Sequence, residues 1–222
     1  MRVLMGRLFR DFRLAKLGTE KLRTLGYRFL ESYRASSSQT NTNDAKATST
    51  LISLMDRDKE YRCDEERVRD MIIFIGAGYD TTAATLSWTL LELARKPRIQ
   101  DSLRRNIRQH HDTTTNSPML KRVILESMRL NPVAAFGPVR TLSNDIRTTT
   151  GSNSRNFLIP KGSTVIIPLF AIHRSKDLFR DPDVFRPDRW EEEESMITTK
   201  KALMPFGLGQ RSCIGRTLAN AE

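Results

Sequence analysis

The chain has few residues that could be cross-linked, little aromatic surface beyond phenylalanine, and no long apolar run. Its 222 residues include two cysteines, Cys63 and Cys213, far apart and without paired spacing. That excludes a disulfide scaffold and argues for a reducing compartment. Four Tyr and two Trp stand beside ten Phe, and no internal repeat is present, which argues against solenoids and base-stacking modules. No window approaches the roughly 18 apolar residues of a membrane-spanning helix, and Met1 to Phe12 is too often interrupted by arginine for a signal peptide. The glycines at 76 and 78 lack the Lys-Ser/Thr ending and the preceding strand of a phosphate loop. Of three histidines, His110 and His111 are adjacent and precede Asp112. Neighbours on a helix point different ways, so this is a solvated helix end and not a metal site.

What the chain does have is positive charge. Thirty-seven Lys and Arg against 26 Asp and Glu give +11 and a pI near 10.1, which admits a nucleic-acid partner, an anionic membrane surface or an acidic protein. With 38% hydrophobic and 28% charged residues the composition is globular. Residues 1–34 alternate Leu, Phe and Met with basic residues, the pattern of amphipathic helices broken near Gly18 and Gly26. They read as surface helices, with a membrane-interfacial stretch as the less common reading. Residues 35–50, rich in Ser, Thr and Asn, read as a flexible loop.

Asp64 to Arg95 carries apolar residues at 68, 71, 72, 75, 79, 83, 86, 90 and 93, which predicts one long helix ending before Pro97. Its middle, residues 71–78, is apolar on every side, as in a helix crossing the centre of a domain. Gly76 and Gly78 each cost about 1 kcal/mol there, and close approach of a flat ligand would justify them. Asp80, Thr81 and Thr82 follow as polar groups that need partners, or hydroxyls that bond back to helix carbonyls. Further helices are expected over Arg98–His110 and from Pro118 to Leu130, stopped by Asn131-Pro132. Short β-branched runs at 139–141, 157–159 and 164–167, with turns at Gly151 and Lys161-Gly162, predict a small sheet. The fold class is mainly α with small β-sheets.

The most informative stretch is Phe206-Gly207-Leu208-Gly209-Gln210-Arg211-Ser212-Cys213-Ile214-Gly215. Alone, Cys213 would read as a small buried hydrophobe. Its neighbours argue otherwise. Glycines let backbone N–H groups approach a sulfur, and a following helix start and Arg211 favour the thiolate that binds metal.

This F-x-x-G-x-R-x-C-x-G spacing resembles the haem-ligand signature of the cytochrome P450 family. Ala77-Gly78-Tyr79-Asp80-Thr81-Thr82 is similar to the family's A-G-x-[DE]-T-T segment, Glu126 and Arg129 match its E-x-x-R, and Phe185-Arg186-Pro187-Asp188-Arg189-Trp190 supplies its P-x-R. The resemblance implies haem b bound through Cys213, with Phe206, Gly209 and Gly78 beside it and Arg140 and Arg211 reaching the propionates. It implies a proton relay through Asp80 and Thr81, and a structural triad of Glu126, Arg129 and Arg189 locking the cysteine loop. Val133–Gly137 would line the pocket, His173 would be a packing residue, and Glu191–Glu194 a solvated loop.

The implied chemistry is monooxygenation, in which one atom of O2 enters a C–H bond of a lipophilic substrate. A faint likeness of residues 1–33 to the fatty-acid ω-hydroxylase branch suggests a fatty acid. Electrons would come from an NADPH-dependent reductase or another donor docking near Lys200, Lys201, Arg211 and Arg216. The resemblance covers residues 15–222 and implies one incomplete domain, 1–222, with the N-terminal half and C-terminal tail outside it. Nucleic acid is not expected as a partner. The full-length protein is expected on the cytosolic face of the endoplasmic reticulum membrane, attached through residues preceding this chain. The alternative is a haem-free remnant or basic binding module.

Overall fold

The alternation of leucine and phenylalanine with basic residues produces one helix, α1 (Arg2–Gln39), in the computed structural model, which describes residues 2–39, 51–109, 117–150, 155–191 and 202–221. Neither glycine breaks it, contrary to the sequence expectation. Gly26 is buried, and a Cβ there would lie 2.7 Å from Val68 Cγ1, so this glycine permits a close helix contact. The predicted loop also begins late: residues 35–39 continue the helix, where Ser36 Oγ donates to the Ser32 carbonyl at 2.8 Å. A serine that bonds back four residues needs no turn to satisfy its hydroxyl. Residues 40–50 lie outside the described residues.

The chain divides into two compact units, Met1–Asp80 and Thr81–Glu222. In the first, α1 packs with α2 (Leu51–Arg57) and the opening of α3 (Asp64–Ala94). Leu30, Met55, Val68 and Met71 are its buried apolar residues. Arg34 bridges two segments at the rim. Its guanidinium donates to Asp56 at 2.7 and 2.9 Å and to Asp64 at 2.7 and 2.8 Å, and Arg34 holds the Asp64 carboxyl below its ordinary pKa. These exposed pairs set orientation more than stability.

In the second unit, α4 (Pro97–Gln109) and α5 (Pro118–Leu130) fold as hairpin neighbours. Ser117 caps α5 by accepting from Leu120 N at 3.2 Å, and donates to Asn106 Oδ1 at 2.7 Å. Leu93, Leu103, Val123, Leu130 and Phe185 form the core, with Ile99, Ile107, Met119 and Leu120 against it. The α4 boundaries and the Asn131-Pro132 stop agree with the periodicity; His110, His111 and Asp112 lie outside the described residues.

The expected small sheet is two separate antiparallel pairs. β1 (Arg140–Thr141) pairs with β4 (Thr164–Val165), and β2 (Ile146–Thr150) with β3 (Arg155–Ile159). The Lys161-Gly162 turn is present: Gly162 takes φ 84°, and its N–H donates to the Leu142 carbonyl at 2.9 Å. Gly151 lies outside the described residues. β2 has no counterpart among the sequence expectations, because Arg147 and three threonines give it no apolar alternation. Short helices α6 (Leu169–Ile172) and α7 (Arg216–Ala221) complete the set. No helix among the described residues is long and apolar enough to cross a membrane.

The all-round apolar middle of α3 predicts burial. Instead Ile73, Ile75, Tyr79, Leu86, Trp88 and Leu90 are exposed, since no described residue covers them.

Two glycine substitutions should separate contact from propensity. At Gly18 no atom lies within 4 Å of the place a methyl group would take, so Gly18→Ala should stabilise by about 0.5–1 kcal/mol. Gly26→Ala must displace a stiff β-branched neighbour and should cost about 1–3 kcal/mol. Urea denaturation midpoints check both.

Candidate functional site

A carboxylate without exposed surface is the centre of the second unit. Glu126 lies on the buried face of α5, one turn before Arg129, and both side chains are fully buried. Arg129 grips the carboxylate with two bonds, Nε to Oε2 at 3.0 Å and Nη2 to Oε1 at 2.8 Å. Arg189, on the 3-10 turn Pro187–Trp190, donates from Nε to Oε1 at 2.9 Å. The backbone N–H of Arg186 makes a fourth bond, also to Oε1, at 2.9 Å.

The guanidiniums then reach beyond the carboxylate. Arg129 Nη1 donates to the carbonyls of His173 (2.7 Å) and Pro182 (2.6 Å), and Nη2 to that of Val184 (3.3 Å). All five of its donors are thereby used. Arg189 binds the carbonyls of Arg180 (2.6 Å), Asp181 (3.0 Å) and Val184 (3.1 Å). Asp181 holds φ 48°, a left-handed conformation that aspartate tolerates better than most residues. Burial lowers the Arg189 pKa, Glu126 opposes that shift, and Arg129 adds to it. The family motifs account for three members; the structure adds a backbone donor and six carbonyl bonds.

The cysteine loop is built differently. Gly207 and Gly209 adopt φ 69° and 74°, left-handed values that strain any side chain with a Cβ. Gly207 N–H donates to the Met204 carbonyl at 3.1 Å, and Cys213 N–H to that of Phe206 at 2.8 Å. The loop thus closes on itself before α7. The Cys213 thiol is exposed, so it is not the inert core cysteine. Leu208, Ile214 and Leu218 of the same stretch are also exposed, Ile214 to 83%. Arg216 lies over the Phe206 ring, 5.4 Å from its centroid.

Four sequence motifs, a buried carboxylate–diarginine cluster and a cysteine presented by a glycine loop therefore coincide in one chain. A family model described as Cytochrome P450 matches residues 1–222. This chain belongs to the cytochrome P450 family. Among P450 relatives, cytochrome P450 4F12 of Homo sapiens is 31% identical over 97% of this chain and 41% of its own length. Leukotriene-B4 omega-hydroxylase 3 of Mus musculus is 32% identical over 91% of the chain and 39% of its length. Cytochrome P450 3A29 of Sus scrofa is 34% identical over 70% and 31%. The chain therefore spans well under half the length of these curated relatives.

Haem is the P450 cofactor, and the residues present suit it. The thiol is accessible, and Leu208, Ile214 and Leu218 in the same stretch of chain leave apolar surface that a cofactor could cover. Arg140, on β1, and Arg211 are exposed and make no ion pair with a described residue, leaving both guanidiniums free for carboxylates. Gly78 is exposed, with open space where a Cβ would be, as is Gly76; no described residue accounts for these glycines. Asp80 and Thr81 are adjacent and exposed on α3. Among the described residues no cluster of three acidic, His or Cys side chains could hold a metal ion. Lys200, Lys201 and Glu192–Glu194 lie outside the described residues. Sequence reasoning missed His173 as more than packing: it is fully buried, and its Nε2 accepts from Met204 N–H at 3.2 Å.

Removing the carboxylate should be severe. Glu126→Ala strands two buried guanidiniums and should cost about 3–5 kcal/mol, whereas Asp101→Ala on the exposed face of α4, whose partner is Arg104 at 2.8 Å, should cost under about 0.5 kcal/mol. Denaturant midpoints compare the two.

Proposed function

We propose that this chain forms the thiolate-ligand part of a haem-dependent P450 monooxygenase acting on a lipophilic, fatty-acid-like substrate. The observation that carries this reading is the exposed Cys213 thiol on a self-closed glycine loop, with Leu208, Ile214 and Leu218 of the same stretch also exposed. An exposed thiol with apolar surroundings and nearby N–H donors suits a soft metal in a flat apolar ring better than it suits water. When bound, haem would supply the redox chemistry, by which a C–H bond, O2, two electrons and two protons become a C–OH group and water.

The chain's own residues have separate tasks in this reading. By the family pattern Cys213 would be the residue that holds the haem iron. Arg140 and Arg211 bind the two propionates through paired N–H donors. By the family pattern Gly78 would be a cofactor-binding position of α3. By the family pattern Asp80 and Thr81 would hold and pass protons, and Phe206 would pack at the loop's start. Glu126, Arg129 and Arg189 do no chemistry; they hold the segment that backs the loop. The exposed Arg211 and Arg216 offer positive charge to an acidic electron donor. A relative named for ω-hydroxylation of leukotriene B4, a lipid acid, supports the substrate class. Residence on the cytosolic face of the endoplasmic reticulum membrane belongs to the same proposal for the whole protein.

Haem titrated into the chain, reduced under carbon monoxide, should give the red-shifted band of a thiolate ligand, and Cys213→Ala should abolish that band while haem absorbance changes little. An unshifted band in both proteins would refute thiolate ligation, and no haem uptake would favour the basic binding module. Reduction by an acidic protein donor should slow several-fold between about 0.05 and 0.5 M salt as screening shortens; a salt-independent rate would exclude electrostatic docking.

A further inference from the structure

One buried side chain links the Glu126 cluster to the cysteine loop. His173 has no exposed surface. Its carbonyl accepts from Arg129 Nη1 at 2.7 Å, and its ring Nε2 accepts from Met204 N–H at 3.2 Å. Met204 stands at the entrance to the loop: its own carbonyl accepts from Gly207 N–H at 3.1 Å, and two residues on the Phe206 carbonyl accepts from Cys213 N–H at 2.8 Å. Hydrogen bonds therefore run from Glu126 through Arg129, His173 and Met204 into the loop that carries the thiol. The Met204 contact joins segments 31 residues apart in sequence.

Chemistry fixes the state of the ring. A backbone N–H can donate only to an unprotonated nitrogen, so Nε2 is bare and the single ring proton sits on Nδ1. Nδ1 is buried and has no hydrogen-bond partner among the described residues. Without the Met204 bond nothing at the site would select this tautomer.

We propose that His173 is a positioning residue for the cysteine loop: its neutral ring, protonated at Nδ1, accepts the Met204 N–H and sets the register of Phe206–Cys213 against the buried Glu126–Arg129–Arg189 cluster. The anchoring itself needs no haem, whereas its value for thiolate ligation rests on the function proposed above.

The surroundings keep the ring neutral. Burial is the largest cause, followed by the Arg129 guanidinium on α5, with Arg174 adding positive charge from the next residue; together they bring the His173 pKa from 6.5 down to about 4. A lowered histidine pKa means the unfolded chain binds more protons between these values. The contribution is complete above about pH 6.5 and is lost as pH falls toward 4. Protonation of Nε2 would set one donor against another and break the Met204 bond.

The test uses the full chain labelled with 15N. The wild-type His173 ring should report the Nδ1–H tautomer and stay neutral to below about pH 5. In the His173→Phe variant, Met204 loses its acceptor, and its amide should exchange with solvent about tenfold faster near neutral pH. His173→Gln, whose Oε1 can occupy the place of Nε2, should restore most of that protection and remove the acid loss between pH 6.5 and 4. In haem-loaded protein the Phe variant should lose the thiolate-shifted band at a milder pH than the Gln variant does. An Nε2–H tautomer in the wild type, or equal Met204 exchange in the Phe and Gln variants, overturns the proposal. The tautomer measurement needs no variant, so it decides even if His173→Phe does not fold. Correct tautomer and exchange behaviour in a chain that takes up no haem would uphold the anchor and refute the haem-dependent function instead.

Discussion

A carboxylate cannot be left charged and dry, and in the second unit that requirement organises much of the chain around it. Glu126 is satisfied by four donors from three places: α5 itself, the 3-10 turn at Arg189 and the backbone at Arg186. Bringing two guanidiniums into the interior creates a second requirement, since each carries more donors than one carboxylate can accept. The surplus is taken up by carbonyls between residues 173 and 184. The irregular segment therefore folds around side-chain donors rather than around a neighbouring strand. Such a cluster is only weak evidence for stability against an apolar replacement, but it specifies one arrangement, because every donor has a particular acceptor.

Polar order inside contrasts with apolar exposure outside. Within the core, Leu93, Leu103 and Val123 from three helices cluster with Phe185 from the irregular segment, while Ile214, Leu218, Phe136, Val139 and Tyr79 are exposed. Groups of exposed apolar residues on this scale mark surfaces that function or further structure covers.

Much of this could be read from the amino-acid order where the signal is local. The α5 helix announces itself by Ser117-Pro118 at one end and Asn131-Pro132 at the other, and the triad by spacing alone. The long α3 helix follows from nine apolar positions three and four apart. What was not legible depended on neighbours distant in sequence. Gly18 and Gly26 look like breaks until Val68 is seen against Gly26. β2 is a strand because β3 pairs with it, not because Arg147 and its threonines prefer to be one. His173 gives no sign of its role, since its partner is a backbone N–H, which every residue except proline possesses. The expectation for Asp80 and Thr81 comes from the family pattern alone; the structure shows them adjacent and exposed on α3.

Arg129 and Arg189 hold their surrounding segment almost wholly through main-chain oxygens, and this has an evolutionary consequence. A carbonyl is the same whichever side chain accompanies it, so the identities of residues 180, 182 and 184 are invisible to the guanidiniums that bind them. Such a scaffold can exchange most of its visible sequence while keeping its shape. Drift should be concentrated in that segment, and the two arginines and Glu126 should be the points at which it stops. Asp181 is the exception, since its backbone twist, not its oxygen, limits what can replace it.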